Sequence, residues 1–153
     1  MKKMIYSLLT LILGLVLSGA GCSPDAFVTD PNPDFFGTWE YAYDSHWQKV
    51  TISADKFTFL SDGGDTYTME ELSWKKVTTT GAFASTYPIG CRISGKLTNK
   101  TGSYSPLQSD GTPYSVGKIA IMWWYLSADK KSLLVGNAFT PAHEPQGEPW
   151  VKQ

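Results

Sequence analysis

The sequence predicts an all-β protein, folded as a barrel or a sandwich of antiparallel strands. Short segments rich in Val, Ile, Thr, Tyr and Trp recur from residue 37 onward, and turns containing Gly, Asp or Ser separate them. No segment sustains the apolar period of an amphipathic helix. The roughly 130 residues from residue 22 onward are enough for one domain with a single core.

The first predicted strand begins at Gly37 and carries an aromatic residue at every second position. Trp39, Tyr41 and Tyr43 share one parity, and mostly polar residues occupy the other. Because side chains alternate between the two faces of a strand, the three aromatics lie on one face. The segment therefore predicts an aromatic inner surface.

The next strands are predicted in pairs around short turns. Residues 47–53 and 56–60 flank the turn at residues 54–55. Residues 66–80 are rich in Thr, Tyr, Val and Trp, and their parity shifts near residues 70–71, which indicates a bulge or two strands. A helix over residues 69–76 is the alternative that this segment leaves open.

The C-terminal half contains an alternating strand, a hairpin and a closing strand. Residues 89–97 alternate, and residues 118–127 and 132–139 form a hairpin through residues 128–131. Residues 99–117 form a long Gly-, Ser- and Pro-rich loop of the kind that covers binding sites. We expect residues 150–152 to pair with the first strand and close the barrel, with Pro149 at the start of that closing strand.

The N-terminus predicts export. A basic start, an apolar run from Ile5 to Leu17 and a small-residue exit make a secretory signal peptide over residues 1–21. Residues 22–34 contain three prolines and no periodicity, which predicts a flexible tether.

Cys22 follows the small-residue exit and resembles the lipidated cysteine of bacterial lipoproteins. The resemblance implies an acyl anchor on Cys22 and a place in the cell envelope, with the outer membrane or cell surface favoured because Ser23 replaces the aspartate that retains enteric lipoproteins at the inner membrane. The alternative is cleavage after Ala20, which leaves Cys22 free to bridge Cys91. The apolar alternation around Cys91 favours a buried thiol.

Charge and motifs exclude several functions. The 13 basic residues include Lys2 and Lys3 of the signal, so 11 remain against 14 acidic residues, a charge of −3. This balance argues against nucleic-acid binding. His46 and His143 have no partner at metal-ligand spacing, and no phosphate-loop, dinucleotide or nucleophile motif is present. We therefore expect no enzymatic activity, cofactor or metal.

Gly37-Thr38-Trp39, early in a short all-β secreted chain, resembles the Gly-x-Trp motif of the calycin group, which includes lipocalins, fatty-acid-binding proteins and avidins. The short strands and the late hairpin are similar to those of small bacterial lipocalin-like lipoproteins. The resemblance implies a single up-and-down antiparallel barrel of about eight strands over residues 35–153. It also implies that Trp39 closes the base of the barrel and that Gly37 gives the backbone room there.

The aromatic residues lead to two functional hypotheses. In the first, the barrel binds a small apolar or amphipathic ligand between its inner face and the 99–117 loop. The lining residues would then be Tyr41, Tyr43, Trp123 and Tyr125.

In the second hypothesis the barrel is filled and has no pocket, and it acts as an envelope scaffold or a protein-interaction module. Both faces of residues 118–127 are apolar. Either a loop or the tail covers the outer face, or Met122 and Trp124 face a protein partner.

Overall fold

A computed structural model describes residues 30–108, 110–136 and 145–153. In this part of the chain eight antiparallel strands form one closed barrel, and each strand pairs with its neighbours in chain order. This arrangement confirms the predicted up-and-down barrel. The strands are β1 (Gly37–Tyr43), β2 (His46–Ile52), β3 (Lys56–Ser61), β4 (Thr66–Thr78), β5 (Ile89–Thr101), β6 (Ile119–Leu126), β7 (Ser132–Gly136) and β8 (Pro145–Lys152).

The signal peptide, Cys22 and most of the predicted tether lie outside the described residues. The described tether residues run into a short 3₁₀ turn, Pro33–Phe35, which Asn32 caps through its side chain. Across the described ranges, no helix has both the length and the apolar character needed to span a membrane.

β4 is a single continuous strand with a bulge, so the helix considered for residues 69–76 does not form. Glu71 has a φ of 56°, and the pairing of β4 with β5 shifts register between Glu70 and Ser73. A residue in the left-handed region breaks the alternation of side chains. The bulge therefore explains the parity shift in the sequence.

The inner face of β6 is the reverse of the one expected. Met122 and Trp124 are 8% and 2% exposed and belong to the barrel core, whereas Tyr125 packs with Tyr87 and Leu134 in a separate cluster. Tyr87 lies in the connection between β4 and β5, so this connection covers the outer face of β6. The outer face is buried only near the base end of β6, at Tyr125, whereas Ile119 at the mouth end is exposed. Because both faces carry apolar residues, alternation alone did not identify the inner face, and the predicted assignment was wrong.

β8 closes the barrel as predicted. Trp39 pairs with Lys152, and Glu40 pairs with Val151. The ring of Trp150 lies 5.8 Å from that of Tyr41 on the first strand. The strand begins at Pro145 and not at Pro149, so the predicted closing strand was too short at its N-terminal end.

The base of the barrel is built around Trp39, which is fully buried as the motif implied. Its indole Nε1 donates to the carbonyl oxygen of Phe35 at 2.9 Å, and the Lys152 ammonium lies 5.1 Å from the ring centre. Gly37 adopts a φ of +126°, and a Cβ there would lie 3.2 Å from Lys152 Cε. The base is therefore closed by the chain entering β1 and the chain leaving β8.

The two ends of the barrel differ because successive strands run in opposite directions. The base end holds residues 30–36, residue 153 and the connections after β2, β4 and β6. The other end, called the mouth here, holds the connections after β1, β3 and β5. The long connection between β5 and β6 therefore lies at the mouth.

Candidate ligand-binding cavity

A cavity of about 420 Å³ opens at the mouth of the barrel. This volume is within the range of small-molecule sites, roughly 300–1,000 Å³. Most of the wall is apolar or aromatic. The lining residues used below are Tyr41, Gln48, Val50, Phe59, Tyr67, Tyr104, Met122, Trp123, Trp124, Val135, Glu148 and Trp150.

One wall of the cavity is a row of nearly parallel rings from β3, β4 and the β5–β6 loop. Tyr67 and Phe59 lie 4.9 Å apart with planes inclined by 9°. Tyr104 stacks on Phe59 at 5.1 Å and 16°. Phe57 and Phe59 share a face of β3 because they are two residues apart, and Tyr67 is the register partner of Phe59 across the β3–β4 pair. The strand pairing thus fixes the ring stack.

Tyr67 supplies a hydroxyl group to this apolar wall. Its hydroxyl donates to Met122 Sδ at 3.7 Å, and a thioether is a weak acceptor. Burial, with a smaller contribution from Tyr104, raises the pKa of Tyr67 well above its usual value. The hydroxyl therefore stays protonated at physiological pH and remains a donor.

The indole nitrogen of Trp124 is an unpaired polar group behind this wall. It is buried and has no hydrogen-bond partner among the described residues. Trp124 borders the cavity, but its nitrogen has less than 1 Å² of accessible surface and so does not face the open space. A buried polar group left without a partner costs about 1–3 kcal/mol.

The β5–β6 loop is fastened across the mouth by Asp65. Asp65 Oδ1 accepts from the backbone nitrogen of Ser103 at 2.7 Å and from that of Tyr104 at 3.4 Å. Gly102 has a φ of +76°, and a Cβ on it would overlap the Asp65 carboxylate. Glycine is therefore required where the loop crosses this carboxylate. Gln48 completes the attachment by donating to the Tyr104 hydroxyl at 3.0 Å.

A second, smaller cavity of about 220 Å³ lies beside the first. It shares Tyr41, Gln48 and Tyr104 with the main cavity, and the rest of its lining combines Trp47 with the polar residues His46, Ser61, Asp62 and Asp65. His46 Nδ1 lies 2.8 Å from Asp62 Oδ2, and this hydrogen bond is the main reason that the pKa of Asp62 is lowered. The mouth thus combines an apolar compartment with an adjoining acidic one.

The predicted lining residues divide into two groups. Tyr41 lines the main cavity. Trp123 borders it as well, although it also packs against the outer cluster of Tyr87, Tyr125 and Leu134. Tyr43 is 64% exposed at the end of β1, and Tyr125 is buried in the outer cluster, so neither lines it. Met122 and Trp124, expected on a partner-facing surface, line the interior instead. Their positions correct the expectation of a surface formed by these two side chains.

The sequence reasoning missed several wall residues that a closer use of alternation would have found. Phe59 shares a face of β3 with Phe57, and Tyr67 shares a face of β4 with Met69. Phe59 and Tyr67 line the cavity, and Phe57 and Met69 lie in the core beneath it. Gln48 could not be found in this way because its side chain is polar, although it shares the inward face of β2 with Val50. Its inward position follows only from the barrel register.

One of the two cysteines, Cys91, and one of the two histidines, His46, lie within the described residues. Cys91 is 3% exposed, which confirms its predicted burial, and burial raises the pKa of its thiol. His46 is a largely exposed partner of Asp62. Cys22 and His143 lie outside the described residues.

Comparison with known proteins gave no match to any family model, any curated protein sequence or any solved structure. The architecture therefore defines the class: a closed, eight-stranded, antiparallel up-and-down barrel. That barrel is consistent with a calycin or lipocalin-like fold, with a cavity at the end opposite the Gly37–Trp39 base.

Proposed function

We propose that this protein is a lipocalin-like binding protein of the bacterial cell envelope that takes a small apolar or amphipathic ligand into the mouth cavity. The observation that carries the proposal is the cavity of about 420 Å³ with its largely apolar and aromatic wall. Apolar burial would supply most of the affinity, since the wall offers few polar groups.

A donor in the wall supports a ligand with an acceptor atom. The Tyr67 hydroxyl donates only to a sulfur. A buried donor gains most from a ligand because it has already lost its water. The role proposed is binding without catalysis.

The proposal includes a lipid anchor on Cys22. The described chain enters the barrel at the base, through Pro33–Phe35. The roughly ten residues between Cys22 and the 3₁₀ turn, extended at roughly 3 Å per residue, would span about 30 Å. An anchored barrel would therefore direct its mouth away from the end that carries the anchor.

The binding proposal is tested with the neutral fluorescent probe N-phenyl-1-naphthylamine. The full chain is exported as Cys22→Ser, so that acyl chains and detergent do not compete for the probe. We expect saturable fluorescence enhancement at one probe per chain. No saturable signal in the folded protein would contradict a binding cavity.

A matched pair of variants locates the probe. Val135→Trp adds an indole inside the cavity and should weaken probe binding by about tenfold or more, which is about 1.4 kcal/mol. Leu60→Trp adds the same group on the outer surface, where Leu60 is 42% exposed, and should bind as the parent does. Equal affinities for both variants would show that the probe binds elsewhere.

The second candidate function is that of a filled barrel serving as a scaffold or a protein-interaction module. The base half of the barrel favours it, because Trp39, Phe57, Ile93 and Leu97 are fully buried there and across the middle. A folded, heat-stable protein that binds no probe would support this function over ligand binding.

A further inference from the structure

We infer that the ligand is a cationic amphiphile and not a fatty acid. Its apolar body would occupy the main cavity, and its ammonium or amine group would occupy the smaller cavity beside it. This inference rests on the proposed binding function and specifies the class of ligand.

The two cavities form one bipartite site because they share a wall. Tyr41, Gln48 and Tyr104 line both. The hydrogen bond of 3.0 Å from Gln48 Nε2 to the Tyr104 hydroxyl crosses this shared wall. Tyr104 is 48% exposed, so its side chain has room to move toward solvent. A ligand that displaced this ring would reach from the apolar compartment into the polar one.

The charged side chains of the site are acidic. Asp62 and Asp65 line the smaller cavity, and Glu148 lines the main one. Among the described residues that line either cavity, none is Lys or Arg, and His46 is already held by Asp62 at 2.8 Å. A carboxylate head group would lie among like charges without a counter-ion, whereas an ammonium group would find two carboxylates.

The aromatic rings of the shared wall also favour a positively charged head group. The rings of Tyr41 and Tyr104 adjoin the acidic compartment, and a cation within about 6 Å of an aromatic face is attracted to it. The fold makes this contact twice with its own lysines: Lys49 lies 4.8 Å from the ring centre of Trp47, which itself lines the smaller cavity, and Lys152 lies 5.1 Å from that of Trp39 at the base. An ammonium head group would therefore meet both rings and carboxylates.

The wall of the main cavity offers a donor to the body of the ligand. The Tyr67 hydroxyl donates to Met122 Sδ at 3.7 Å, and a thioether is a weak acceptor. An ether or carbonyl oxygen in the body of the ligand would be a stronger acceptor for this hydroxyl. The apolar compartment thus selects the body of the ligand, and the acidic compartment selects its head group.

The test is displacement of bound N-phenyl-1-naphthylamine by three ligands with the same chain and different head groups. Decyltrimethylammonium, decanol and decanoate are added below their micellar concentrations at about 0.15 M salt, where exposed charges are screened beyond about 8 Å. We expect decyltrimethylammonium to displace the probe at a concentration about tenfold below that of decanoate, with decanol between them, a preference of about 1.4 kcal/mol.

Charge removal at the site should abolish this preference. The double variant Asp62→Asn and Glu148→Gln should bring the ammonium-to-carboxylate ratio to within about threefold, because it removes one carboxylate from each compartment. Glu70→Gln is the control: it removes a carboxylate that pairs with Lys56 and lines neither cavity, and it should keep the parent ratio.

The outcomes separate the two proposals. If the probe binds but decanoate displaces it as well as decyltrimethylammonium does, the head-group assignment is overturned and the binding function stands. If the double variant still prefers decyltrimethylammonium over decanoate as the parent does, the head-group assignment is also overturned. If the probe does not bind the folded protein, the binding function itself fails.

Discussion

Replacement of Trp39 by alanine should destabilise the barrel more than any replacement at the mouth. Trp39 is 0% exposed, so truncation leaves a large void in the base, and such changes cost about 3–5 kcal/mol. The change also removes the donor to the Phe35 carbonyl at 2.9 Å and the ring beneath the Lys152 ammonium. Since small domains are stable by only about 5–15 kcal/mol, this loss is a large fraction of the total.

The assay is urea unfolding of the full chain in the Cys22→Ser form, followed by far-ultraviolet circular dichroism. We expect a lower midpoint with an unchanged slope, because the amount of surface exposed on unfolding is nearly the same. Trp39→Phe, which keeps a ring but leaves the Phe35 carbonyl without its donor, should cost about 1–3 kcal/mol.

A Trp on the outer surface provides the control for Trp39. Trp47 is only partly buried and contacts the Lys49 ammonium at 4.8 Å, so Trp47→Ala should cost about 1 kcal/mol or less. If Trp39→Ala unfolds at the same urea concentration as Trp47→Ala, Trp39 does not hold the base together, and the Gly-x-Trp motif has no structural role in this chain.

Three further predictions concern the anchor, the closing strand and the buried thiol. Cys22→Ser should move the protein from the membrane fraction to the soluble fraction on cell fractionation, and unchanged membrane association would end the lipoprotein proposal. Deletion of residues 148–153 removes the partners of Trp39 and Glu40 and should lower the melting temperature sharply, whereas an unchanged melting curve would show that β8 does not close the barrel. In the Cys22→Ser form, Cys91 should react with iodoacetamide far more slowly in the folded than in the unfolded chain at pH 8, because burial raises its pKa and less thiolate is present; equal rates would show that the thiol is accessible.

The strands were predictable because alternation of apolar residues is strong in this chain. β2, β3 and the β6–β7 hairpin begin and end within about one to three residues of the segments chosen from the sequence. The bulge at Glu71 was also visible as a parity shift. Closure was predictable for a different reason: leaving Trp150 exposed is costly, and so is leaving the edge of β1 unpaired.

The cavity was less predictable, because alternation identifies two faces without saying which one is inside. In β6 the two faces are equally apolar, and the β4–β5 connection that covers Tyr125 is distant in sequence. Only the pairing of Trp124 with Cys91 and Val135 assigns Trp124 to the interior. The second cavity had no sequence pattern at all, since His46, Asp62 and Asp65 meet through the turns between strands.

The base of the barrel accounts for most of the tight packing, whereas the mouth contains the cavity. At the base, Phe35, Trp39, Ile52 and Leu126 are at most 2% exposed, and their neighbours fill the interior. Toward the mouth, wall residues such as Tyr41, Gln48 and Val135 are only partly buried. A well-packed base can offset the packing that is lost where the mouth is open, which a marginally stable barrel could not.

This division has a measurable consequence. Trp39→Ala should lower the unfolding midpoint while the fraction that remains folded still binds N-phenyl-1-naphthylamine, because Trp39 does not line the cavity. Val135→Trp should do the opposite, weakening probe binding while changing the midpoint little, because its neighbours already border open space. If both changes lower stability and binding in proportion, the base and the mouth form one cooperative unit, and the cavity is a defect of packing with no separate role.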